Sequence, residues 1–252
     1  MRGNALKGLL AALIALLPGA LPAQDPSPPM TPGWESLPLQ AEVLGNALGK
    51  TTRDGRTPDP RRAAPSGEQG LAPAGSAAVE TGYRASPEVS ARVRRQFVAW
   101  IRGMDAREGD LIEQEFRTRD YVQVWAEIVR SDGFRTGDVV DALASYWIVN
   151  WIIANGRESD AGSAPAVRGQ VREVLIHDAA FARLAEAQRQ EMAEVLMLNF
   201  VVQFAAFSDA YRRQDEALKA RLGEAARARF RNELGLDLLA LDFGADGLVE
   251  RR

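Results

Sequence analysis

Proline placement constrains this chain more than any other feature. Twelve of its 13 prolines lie at or before Pro87, and only Pro165 lies beyond. A proline inside a helix removes a hydrogen bond and clashes with the preceding turn. Only the chain after Pro87 is therefore free to form long, uninterrupted helices. Residues 24–85 are rich in Pro, Gly, Ala and Ser and poor in aromatics. Such a stretch cannot bury enough apolar surface to offset its ordering entropy, so a disordered linker is expected there. One island interrupts it: Trp34, Leu37, Leu39, Val43, Leu44 and Leu48 suit a short helix over 34–49.

The first 23 residues have the layout of a secretory signal peptide. Arg2 and Lys7 form a basic start, Leu9 to Leu17 an uncharged apolar run, and small Ala23 precedes Gln24 at the expected cut. The apolar run is shorter than the roughly 20 residues that span a bilayer, and Pro18 and Gly19 interrupt it. Cleavage, with no stable membrane anchor afterwards, is the expectation, and with it a periplasmic or secreted protein. The chain has no cysteine, which excludes lipidation on Cys, disulfides, thiol catalysis and Cys-based metal sites. Losing Arg2 and Lys7 leaves 29 basic residues against 34 acidic ones. That balance gives no electrostatic footprint for nucleic acid. Three Lys against 28 Arg suggest a GC-rich bacterial coding bias.

From Ser86 the pattern becomes helical. Ser86 suits an N-cap, Pro87 the first helical position, and Val89, Val93, Phe97, Trp100, Ile101 and Met104 form one apolar stripe. Asp105 is expected to cap a second helix with Leu111, Ile112 and Phe116. A third, from Asp120, turns Tyr121, Val124, Trp125 and Ile128 inward and ends at Gly133. Thr136 is expected to cap a fourth helix over 137–154, which is apolar all round in its second half and therefore central. A fifth follows Pro165, and a short one runs from Asp178 through Leu184. The longest apolar stretch, Met192 to Phe207, contains Glu194, Asn199 and Gln203. It reads as a second central helix over 185–213 rather than a membrane span. A last helix over 215–234 turns Leu218, Leu222, Ala226 and Phe230 inward and leaves its charges as a solvated face, with an extended tail after it. The expected fold is all-α: a single bundle of six or seven helices over 86–250 with two central apolar helices, behind a signal peptide and a disordered stalk.

Chemical motifs are sparse. Gly45 to Thr51 resembles a phosphate-binding loop but has three residues between its glycines where four are needed. Asp242 to Gly247 resembles the start of a calcium loop, yet its closing Glu would fall beyond Arg252. His177 is the only histidine, too few for a multi-His metal site, and a helix C-terminus is its ordinary place. No cofactor is expected. Glu191 and Glu194 share a helix face and are the best available carboxylate pair. Asn150, Asn199 and Gln203 sit inside apolar helices, where an unpaired buried amide costs about 1–3 kcal/mol. Asn150 and Asn199 are expected to face each other and fix the register of the two central helices. Trp147 and Trp151 are the candidate lining of an apolar pocket.

The stretches Ser86-Pro87, Tyr146 to Trp151 and Ala187 to Glu194 resemble an uncharacterised family of exported bacterial helical proteins, over about residues 85–250. That resemblance implies no activity, cofactor or catalytic residue. It implies only that the helical domain is the shared unit and the stalk is not. The functional expectation is a non-enzymatic interaction module with a protein or envelope component as partner. An envelope-polymer hydrolase using paired carboxylates and a binder of a small apolar ligand between the central helices are the alternatives.

Overall fold

The computed structural model describes residues 79–160 and 162–251. The expected leader, the linker up to residue 78, its island at 34–49 and the Gly45 to Thr51 motif lie outside the described residues. Seven α-helices follow in order among the described residues: α1 (Pro87–Met104), α2 (Ala106–Thr118), α3 (Tyr121–Ile128), α4 (Val139–Asn155), α5 (Ser163–Ile176), α6 (Glu186–Arg212) and α7 (Glu216–Leu234). A hairpin of β1 (Leu241–Gly244) and β2 (Gly247–Glu250) closes the chain.

The expected helical bundle is present, with α4 and α6 at its centre. α4 packs against α5, α6 and α7, and all but three of its 17 residues are buried. α6 is the one helix among the described residues long and apolar enough to cross a membrane, but 56% of its apolar window is buried inside the fold. It is a core helix.

Caps set most boundaries. Asp105 accepts from the backbone N–H of Arg107 and Glu108, and Asp120 from that of Val122. α4 starts two residues later than expected, because Asp138 rather than Thr136 caps it, accepting from Val140 N–H. α5 begins at Ser163. Pro165 is therefore inside its first turn, where a missing N–H costs no hydrogen bond. The helix expected after Asp178 is a single 3-10 turn, Phe181–Arg183.

Two differences from the sequence reading concern the ends. Residues 79–85 are part of the fold. Gly82 bridges Asp138, Tyr83 N–H donates to Gly137 O at 2.8 Å, Val139 N–H donates to Thr81 O at 3.1 Å, and Val79 packs on the core. These are backbone pairings, which composition does not reveal. The expected tail is an antiparallel hairpin, held against α5 by Gln170. The Gln170 carboxamide accepts from Leu248 N–H and donates to Leu248 O, both at 2.9 Å, so it acts as a third strand for β2.

Among the described residues the buried apolar side chains form two clusters. The large one joins α3, α4, α5, α6, α7 and the hairpin. The small one, Val93, Phe97, Tyr121, Val195 and Leu198, joins the α1–α2 pair to α3 and α6.

Candidate functional site

Among the described residues, two groups of buried polar side chains lie along α6. The first is Glu194, 2% exposed and surrounded by neutral donors. Its carboxylate accepts from Tyr121 O–H at 2.6 Å, Ser90 O–H at 2.8 Å and the Gln190 amide at 2.8 Å. Gln190, one turn earlier, also bonds both backbone groups of Ser86, accepting from N–H at 2.8 Å and donating to O at 2.9 Å. Glu191 pairs with Arg92 at 2.8 Å, and Glu186 accepts from Arg84 N–H. The start of α1 is thus fastened to α6 by a ladder of polar contacts. Burial, and then the charge of Glu194, push the Tyr121 phenol well above its ordinary value. The same two causes act on Tyr83.

Beside this network the small cluster leaves a cavity of about 20 Å³ between α1, α2, α3 and α6, lined by Phe97, Ile112, Phe116, Tyr121, Leu198 and Val202. That volume holds about one water. Glu115 and Arg119, paired at 2.9 Å, stand at its edge.

The second place joins α4, α6 and α7. Asn150 is 0% exposed, and its amide N–H donates to Tyr146 O at 2.8 Å. Its oxygen accepts from Arg229 Nη1 at 2.7 Å, and the same Nη1 donates to Gln203 Oε1 at 3.1 Å. Arg229 thereby links two of the three amides singled out in the sequence. Asn199 is also buried, and its side-chain N–H donates to Val195 O of its own helix at 2.9 Å.

Trp147 and Trp151 are fully buried in the large cluster. Trp151 packs on Phe243 with ring centroids 4.4 Å apart, lies under the Arg157 guanidinium, and donates to Leu241 O at 3.0 Å. The space beside it is therefore filled by the hairpin. His177 is exposed at the end of α5, with Nδ1 2.7 Å from Glu173 O. Among the described residues no group of His, Asp and Glu is arranged to hold a metal ion.

Arg229, Ser90 and the hydroxyl role of Tyr121 were not legible as site residues. Arg229 belongs to a run of charges that reads as a solvated face. The available signal is its position beside Phe230 and one turn after Ala226, on the flank of the apolar stripe of α7. For Tyr121 the signal is that a buried phenol needs a partner.

No curated protein and no solved structure matches the chain. A family model does match, over residues 46–251. It takes in some of the expected linker, so the family unit is longer than the 85–250 stretch on which the resemblance rested. The chain belongs to this family, DUF6683, a family of unknown function.

Proposed function

We propose that the chain is an exported, non-enzymatic interaction module of a bacterial cell envelope or exterior. The observation that carries the non-enzymatic reading is the occupation of its best carboxylate pair. Glu194 is buried and saturated by three neutral donors, and Glu191 is held by Arg92. A general acid or base has to reach a substrate proton, and these two groups fasten α1 to α6 instead. The leader of Arg2, Lys7, Leu9 to Leu17 and Ala23 supports export. A fold without cysteine suits an oxidising compartment, since nothing in it can be misoxidised to a disulfide.

Fractionation of cells expressing the tagged full chain tests export: the expected product sits outside the cytoplasm and starts near Gln24. A photo-crosslinking residue placed at Met104 or Tyr211, two exposed apolar positions, is expected to capture one reproducible partner, with Glu158 as the control position. A full-length cytoplasmic product defeats the export reading. Cleavage of envelope polymers that is lost in Glu194→Gln defeats the non-enzymatic one.

A further inference from the structure

We propose that residues 34–49 of this chain dock as an amphipathic helix on the apolar face shared by α1, α2 and α6. This goes beyond the interaction reading and does not rest on it. The receiving face lies over the small cluster. α2 is thinly seated there, with Gly109 as the one buried residue of its 13. Trp100, Ile101, Ile112, Phe116 and Val202 pack on the small cluster yet stay half-buried. The cavity of about 20 Å³ lies among them, since Ile112, Phe116 and Val202 belong both to this face and to the cavity lining. Its polar neighbours are engaged, Tyr121 O–H with Glu194 and Glu115 with Arg119. A water inside would find few partners, whereas the methyl end of a leucine suits both the volume and the lining. The face is thus shaped for a row of aliphatic side chains.

Residues 34–49 supply such a row. At about 100° per residue, Trp34, Leu37, Ala41, Leu44 and Leu48 fall within about 80° of one another around a helix, with Glu35 and Glu42 opposite. That is the spacing of helix-in-groove anchors. Pro38 suits a first turn, where a missing N–H costs no hydrogen bond. Gly45 weakens the helix, so its order depends on docking.

Chain length favours this segment over a second copy. The described chain begins beside α6, where Gly82 O accepts from Arg189 Nε at 2.9 Å. Leu198 and Val202 lie 9 and 13 residues further along that helix, about 14–20 Å. The 30 residues between Leu48 and Val79 would span about 30 Å root-mean-square as a free chain. The tether therefore reaches the face without stretching and holds the segment near it at millimolar effective concentration. A second copy would match that only at millimolar protein. The family match begins at residue 46, so Leu48 and the whole tether belong to the same family unit as the receiving helices.

Pairs of introduced cysteines test the placement in the full chain, which has none of its own. Ile112→Cys is combined with Leu37→Cys, Leu44→Cys or Leu48→Cys on the stripe, and with Glu35→Cys or Glu42→Cys opposite it. Leu44→Cys with Arg221→Cys, on an exposed position of α7, is the distant control. The fastest stripe pair is expected to close an intrachain disulfide at least about tenfold faster than either Glu pair and than the control. Leu44→Asp combined with Leu48→Asp is expected to lower the melting temperature of the domain by about 2–4 °C, a shift that an undocked segment would not produce. Equal closure on the two faces of the segment, or at the control, overturns the proposal, as does an unchanged melting temperature. Disulfide-linked dimers in place of intrachain closure make the occupant a second copy and overturn it too.

Discussion

Replacing Tyr121 by Phe separates two opposite effects of one hydroxyl. The O–H donates to Glu194 at 2.6 Å inside the fold, with Tyr121 only 3% exposed. Deleting it leaves one carboxylate oxygen without its donor, which costs about 1.5–3 kcal/mol at neutral pH. The same hydroxyl is a liability in alkali. Burial and the Glu194 charge raise its pKa above the ordinary value of 10.0, so the folded chain keeps the proton. The unfolded chain releases it above about pH 10, and stability falls wherever the unfolded state binds fewer protons. The loss reaches about 1.4 kcal/mol by about pH 11, and Tyr121→Phe escapes it. The stability gap between the two chains is thus expected to shrink by about 1.4 kcal/mol between about pH 8 and pH 11. Urea unfolding across that range measures the gap, with an unchanged m-value showing that the two transitions are comparable. A gap that stays constant with pH, or a variant as stable as the wild type near neutrality, refutes the argument.

Three further perturbations probe the frame. Asp141 accepts the Arg168 fork through both oxygens at 2.6 Å and Arg135 N–H at 2.8 Å, so Asp141→Asn is expected to cost about 2–3 kcal/mol in thermal unfolding. An unchanged melting temperature would show that this fork holds nothing. Gly109→Ala should reverse the usual helical gain of about 1 kcal/mol. Its Cβ would collide with Arg102 Cγ and stand 3.0 Å from Arg102 Cα, so a net loss of about 1 kcal/mol is expected and a gain rules out so close a crossing of α1 and α2. Gln170→Leu strips both backbone groups of Leu248 of their partners and should cost about 2–4 kcal/mol. Amide exchange at Leu248 is expected to speed up with it, and normal protection there contradicts the third-strand role.

What was legible follows from periodicity. The helical stripe of Val89, Val93 and Phe97 and the apolar run around Trp147, interrupted by Asn150, each carry their own solution, because burial alone dictates it. Gly133 and Gly156 also announce the ends they form, adopting φ of 79° and 64° at their caps. The hairpin was not legible. Leu241 and Leu248 are buried by contact with α5, Trp151 and Gln170, all distant in sequence, and four-residue strands carry too few alternations to declare themselves. Residues 79–85 failed as an expected linker for the same reason. Thr81 and Tyr83 are ordered by backbone pairing with Gly137 and Val139. The amides in α4 and α6 were visible as anomalies, but their link depends on an arginine from a third helix. That choice is made by tertiary geometry, not by local pattern.

The polar residues of α6 decide something that its apolar residues cannot. Hydrophobic burial is non-directional, and α4 and α6 are apolar on nearly every side in their central turns. Turning α6 by one residue, about 100°, would exchange one set of buried apolar side chains for another at little cost. It would also carry Glu194 away from Ser90 and Tyr121 and move Gln203 off Arg229. A buried carboxylate without donors costs several kcal/mol, far more than the apolar exchange. Glu194 therefore selects the face that meets α1 and α3, and Gln203 the face that meets α7. The two contacts lie nine residues apart on one rigid helix, so satisfying either sets the rotation for the other.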